Sequence, residues 1–281
     1  WPLRPQPLPH GSPPAEVCDR YFGNGFVDVF DLVKPSGPRS GYLRCRYNSG
    51  VKTSICDATF VAVDPSRVKV SPGGEPLEAV IRRPDEAELP VFHPGAFEIA
   101  VDPAAGGKGF VQTPKEHTGK IHSTYRDQFK ATTVVVSDHD ARGCTEYVKE
   151  PTLFLTRYEY ANLFHTSTDW WVVVVCPKAS PISHALYRYN VVMAGRVLGL
   201  GAMPIVLMDG HCQVGCVLGG LWVLHCVNAL QSPMDPWWTA VLPTVTHIKQ
   251  LKGKTCYERA VFVPLGYESP LSNGIRPMRP C

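Results

Sequence analysis

TLFLTRYEYANLFHTSTDWW, Thr152–Trp171, changes its period halfway. Thr152–Tyr158 is a β-rich run, and Pro151 ahead of it suits a strand start. From Glu159 the spacing turns helical, with Ala161, Phe164, Thr168 and Trp171 able to share one side. On such a helix Asn162, His165 and Asp169 fall at i, i+3 and i+7, on one face. Further along, PIVLMD (Pro204–Asp209) is almost wholly apolar and ends in an acid. That is how a strand of a parallel sheet reads when both its faces are buried. RAVFVPLG (Arg259–Gly266) reads as another. Strand, helix, strand order predicts an α/β layer with right-handed crossovers. A helix following a strand starts at the carboxyl edge of the sheet, where ligand crevices of open α/β sheets lie.

Outward from this stretch the chain reads less regularly. Tyr42–Tyr47, Phe60–Val63 and Ala131–Val136 are expected strands. Ser71–Pro103 is charged and proline-bearing, with one helix expected near Glu86. Ala104–Lys120 is rich in Gly, Lys and Thr and is the best loop candidate. Residues 1–17 form a proline-rich lead-in without the apolar run of a signal peptide. With 28 basic and 25 acidic residues the net charge is only +3, so no electrostatic footprint for nucleic acid exists. The 10 cysteines are scattered, without a CxxC pair. They suit either a disulfide-forming secretory compartment or small buried hydrophobes.

Several groups could carry chemistry. The His165 imidazole could accept a proton from a hydroxyl while the Asp169 carboxylate orients or charge-stabilises it. Alternatively His165 packs and Asp169 is solvated. Asp209 and His211, in MDGHC, follow a buried strand, where α/β enzymes place working groups; a plain turn using Gly210 reads equally well. His211, Cys212, Cys216, His225 and Cys226 include soft zinc ligands but match no standard finger. DHD (Asp138–Asp140) has the letters of a diphosphate-metal motif and also those of a surface turn. YFGNGF (Tyr21–Phe26) is a tight turn, not a phosphate loop. Val214–Leu230 is apolar and nearly long enough to span a bilayer, although buried core is the simpler reading and Gly219-Gly220 opposes a span.

Seven segments together resemble glycosyltransferase family 61, in its plant N-glycan core β-1,2-xylosyltransferase branch. In order they are CDRYFGNGF, GYLRCRY…TSICD, GGEPLEAV, ELPVFHPGAFE, EPTLFLTRYEYANLFHTSTDWW, VLMDGHC and ERAVFVPLGYESPL. The resemblance runs from about Cys18 to Leu271. The N-x-x-H-x-x-x-D core of the wider family is here Asn162, His165 and Asp169; the longer EYANLFHT…DW string is more specific.

The resemblance implies a GT-B-like architecture of two Rossmann-like lobes and inverting transfer from a UDP-sugar. For this branch that means xylose from UDP-xylose to the core β-mannose of N-glycans. It implies His165 or Asp169 as general base with Asp209 in reserve, and Glu159, Asn162, Trp170 and His211 as substrate contacts. No metal or other cofactor is implied. The expected setting is the Golgi lumen, with a membrane anchor outside this chain. Other members transfer N-acetylglucosamine or decorate xylan, and an inactive glycan-binding fragment is the alternative to an enzyme.

Two stretches depart from the family pattern, at about 172–203 and 214–231. The chain also stops at Cys281, soon after PLGYESPL, where most of a donor-binding lobe would follow. Residues 18–281 are therefore expected to form mainly the N-terminal, acceptor-side lobe. Cys18, Cys45, Cys56, Cys144, Cys212 and Cys256 fall in matching segments, an even set that suits three disulfides.

Overall fold

The computed structural model describes residues 28–48, 53–70, 78, 83–84, 87, 89–102, 109–137, 142–157, 205–207 and 245–263. The strands in chain order are β1 (Asp28–Val33), β2 (Leu43–Asn48), β3 (Thr53–Val63), β4 (Val68–Lys69), β5 (Val91–Phe92), β6 (Phe97–Val101) and β7 (Gly109–Phe110). After helix α1 (Ser123–Ala131) come β8 (Thr132–Val136), β9 (Glu146–Val148), β10 (Thr152–Leu155), β11 (Ile205–Leu207), β12 (Val245–His247) and β13 (Thr255–Phe262). All except β4 and β5 belong to one sheet.

Its spine is the antiparallel pair β3/β13. The first half of β3 pairs with β2, which carries β1 on its far side. The second half pairs with β6, followed by β8 and β7. The free edge of β13 divides in the same way: residues 255–257 pair with β9 and 260–262 with β10. Beyond β10 run β11 and β12, all three parallel to one another and β10 parallel to β13.

The expected α/β character is present, and Ile205–Leu207 does lie between parallel neighbours. The sheet as a whole is mixed and curled, because long antiparallel strands join its two parallel halves. The loop expected over 104–120 contains β7 and a 3-10 turn, Lys115–Lys120. That turn is fixed by His117, whose ring stacks on Phe30 with centroids 3.9 Å apart. Ala87 is helical, and the remainder of the helix expected near Glu86 lies outside the described residues. The strand expected at Arg259–Gly266 is observed four residues earlier, at Thr255–Phe262.

The division of β3 has a visible cause. Cys56 and Ala58 belong to the main core, and so do Val61 and Val63, so the two-residue alternation resets between them. Phe60 sits at the reset with φ +53°, a left-handed conformation costly for a non-glycine residue. The Arg142 Nη1 donates to the Phe60 carbonyl at 2.7 Å and holds the kink. Gly41 occupies the crotch where β2 gives way to β6, donating to Ala100 O at 2.7 Å. A Cβ there would come within 2.6 Å of that oxygen and 2.7 Å of Thr59 O, so only glycine fits.

The core lies between α1 and one face of the sheet. Phe154 and Phe262 approach with centroids 5.4 Å apart, Phe129 of α1 reaches Phe262 at 5.6 Å, and Phe97 reaches both strand residues. Aromatic pairs of this kind add about 0.5–1.5 kcal/mol each beyond burial. At the start of α1, the His122 side chain accepts a hydrogen bond from Thr124 N at 3.3 Å. Burial, then the Arg126 charge, hold the His122 pKa below its ordinary value.

Only the neutral imidazole can accept that bond. The unfolded chain therefore binds the proton more readily than the fold does. Stability from this group is complete above the unfolded pKa of about 6.5 and falls as pH drops from there through the lowered folded value. Urea midpoints compared at pH 7.5 and 5.5 should show the loss, and His122→Asn, which caps without titrating, should reduce it.

Candidate active site

Strands β10, β11 and β12 run in register: Leu155 pairs with Leu207, and Leu207 with His247. Their carboxyl ends therefore lie side by side, at spacings of about 4.8 Å between neighbours. Fully buried polar side chains gather at this edge. Thr156 and Arg157 follow β10 directly, and His247 ends β12; each is 0% exposed. Arg157 is the largest fully buried side chain among the described residues. The Thr156 hydroxyl is buried with no hydrogen-bond partner. The His247 N–H donates to Gln250 Oε1 at 2.9 Å, which turns the chain sharply after β12.

Leaving the buried Thr156 hydroxyl without a partner costs about 1–3 kcal/mol, which folds tolerate mainly where the group serves a site. Sequence reading did not single out Arg157 or His247. The signal available was a polar residue closing each apolar run, LFLTR and VLPTVTH.

The sequence candidates Glu159, Asn162, His165, Asp169 and Trp170 lie outside the described residues, as do Asp209 and His211. The structure does describe where their segments leave the sheet. One departs from β10 at Arg157 and the other from β11 at Leu207, adjacent strands ending at one level. DHD, the His211–Cys226 group, Val214–Leu230, residues 1–17 and both departing stretches also lie outside them. Among the described residues no cluster of His, Cys, Asp or Glu is placed to hold a metal, and no helix is long and apolar enough to cross a membrane.

A second polar centre sits on the sheet face opposite the aromatic core. Asp57 of β3 is fully buried, and three donors meet it. These are Tyr42 Oη at 2.7 Å, Arg259 Nη2 at 2.9 Å and Arg46 Nη1. Beside it Arg44 binds Asp31 through Nε at 2.6 Å and Nη2 at 3.1 Å. Burial and the Asp57 carboxylate push the Tyr42 pKa up to about 12. The sequence signal was the single acid in TSICDATFVAV, since an acid inside an apolar run needs a partner when buried. Asp57→Ala should cost about 3–5 kcal/mol, since two arginines lose their shared counter-charge. Urea denaturation measures it, and an Asp57→Asn variant that still accepts from Tyr42 should lose less.

Two of the three disulfides that the even set suits can be named. Cys45 bonds Cys56 across β2 and β3, and Cys144 bonds Cys256 of β13. Cys18 and Cys212 lie outside the described residues.

No family model matches the chain. It is 32% identical over 286 residues to the β-1,2-xylosyltransferase RCN11 of Oryza sativa subsp. japonica, covering 98% of this chain and 46% of the rice protein. It is 32% identical over 306 residues to the β-1,2-xylosyltransferase of Arabidopsis thaliana, covering 98% of this chain and 50% of that protein. The chain thus spans about half the length of the curated relatives it matches. At 32% identity across 98% of its length, this chain is similar to about half of each of two plant β-1,2-xylosyltransferases.

Proposed function

We propose that the protein to which this chain belongs is an inverting glycosyltransferase that moves xylose from UDP-xylose to the core β-mannose of N-glycans. The observation that carries the proposal is 32% identity to two named β-1,2-xylosyltransferases across 98% of the chain. In the proposed reaction the acceptor hydroxyl oxygen bonds to the anomeric carbon as the bond to the diphosphate breaks. The acceptor proton passes to His165 or Asp169, with Asp209 in reserve, and UDP departs with the electron pair. Asn162, Glu159, Trp170 and His211 position the sugars. No metal is required in this scheme, since cationic side chains and helix N-termini can meet the leaving diphosphate. A two-lobed GT-B architecture and a Golgi-lumenal location with an upstream anchor belong to the same proposal. Two disulfides support an oxidising compartment.

The test is transfer by the full-length protein to a defined N-glycan, read by mass and by linkage. A pentose added in β-1,2 linkage from UDP-xylose is the expected result. Transfer from UDP-N-acetylglucosamine instead would move the protein to another branch of family 61. Acceptor binding with no sugar transferred from either donor would overturn the proposal and leave glycan binding without turnover.

A further inference from the structure

We propose that Arg46 and Arg259 form a binding site for a phosphate-class oxyanion on the sheet face opposite the aromatic core. The two guanidinium groups approach Asp57 from the strands on either side of β3, Arg46 from β2 and Arg259 from β13. Asp57 accepts from three donors, two of them these guanidinium groups. Among the described residues, two cations against one anion leave one positive charge in the group. Arg44 does not change that count, because Asp31 matches it.

The surplus charge is largely out of water: the Arg46 and Arg259 side chains are 19% and 23% exposed. A charge in that position is costly without a counter-ion. Each guanidinium carries five N–H donors, and among the described residues each directs one nitrogen to Asp57. Arg259 Nε is buried with no hydrogen-bond partner. The remaining partial exposure leaves a route for a small ion.

Two planar forks, held in fixed relation by a shared buried carboxylate, form a preorganised oxyanion site. Forks arriving from opposite sides ask for more than two acceptor oxygens. A carboxylate ligand supplies two, whereas a tetrahedral phosphate supplies enough for both. The phosphate could be free or carried by a nucleotide, and the chemistry recognised is the same.

The site is tested by thermal unfolding of the intact chain with increasing inorganic phosphate, against sodium chloride at equal ionic strength. Ligand binding to the fold alone raises the melting temperature in a saturable way. The wild type should show that rise with phosphate and not with chloride. Arg46→Gln and Arg259→Gln should each weaken phosphate binding by about tenfold. Arg46→Lys, which keeps charge but loses the fork, should fall between. UDP in a parallel titration separates the sources. Tighter binding than phosphate, lost in both Gln variants, assigns the nucleotide; UDP binding indifferent to them assigns free phosphate. A wild type without a saturable phosphate response overturns the site, and so does a response undiminished in both Gln variants. The wild-type measurement depends neither on the variants folding nor on any transferase activity.

Discussion

Replacing both Cys144 and Cys256 by alanine should destabilise the chain by about 5 kcal/mol, against about 3 kcal/mol for the Cys45 and Cys56 pair. The difference follows from the chain each bond closes. Cys144 and Cys256 are 112 residues apart, Cys45 and Cys56 only 11. In the chain-entropy account the stabilisation comes from restricting the unfolded ensemble, and it grows with the logarithm of loop length. The folded state loses little else at the first bond, since backbone and side-chain contacts already hold that corner. Thr145 N donates to Lys254 O at 2.8 Å, and Thr145 Oγ1 donates to the Lys252 and Lys254 carbonyls. Urea denaturation of the two double variants is the measurement. An equal loss from both pairs would reject the loop-length argument. Domains are stable by about 5–15 kcal/mol in all, so the first variant should sit close to unfolding at room temperature. The consequence reaches the site, because the closed loop contains β10, β11 and β12 and both segments that carry the catalytic candidates.

The strands legible in the sequence were those whose residues leave little choice. ATTVVV, TLFL, FVAV and PIVL are dense in β-branched and large apolar residues, and each forms a strand near its expected place. What escaped was decided by tertiary partners. Helix α1, STYRDQFKA, has no apolar stripe of its own. Its buried face mixes Tyr125 and Phe129 with Thr124 and Gln128, and it is helical because it crosses from β6 to β8. Strand β13 begins at Thr255 rather than Arg259 because Cys256 and Tyr257 pair with both β3 and β9. The mixed sheet was illegible for a related reason. Nothing local in TSICDATFVAV announces that β3 changes partners midway; the kink at Phe60 depends on Arg142, far away in sequence.

The site was legible in a different measure. That polar residues follow parallel strands can be read from run and period, and the sheet does end β10 and β11 together. Arg157 and His247 were passed over because one polar residue after an apolar run resembles an ordinary strand terminus. Their complete burial is a property of the packed edge alone. Asp57 illustrates the converse. An acid inside an apolar run signals a buried charge, yet its partners come from positions 42, 46 and 259, which only the register of three strands brings together.

In the full-length protein, His165→Ala should lower kcat for xylose transfer by about 10²–10⁴-fold if the imidazole is the general base of the proposed reaction. The acceptor KM should change far less, because the base acts on a proton in flight rather than on ground-state binding. The pH profile separates the roles further. A variant lacking its base loses the limb that reports deprotonation of that base, whereas one that merely lost packing keeps the limb at reduced amplitude. Asp169→Asn should cost less than His165→Ala if Asp169 orients the imidazole, and about as much if Asp169 is itself the base. A rate undiminished in both would pass the role to Asp209, two residues past the end of β11 in the sequence. That outcome would leave the kinship untouched, since kinship rests on the whole chain.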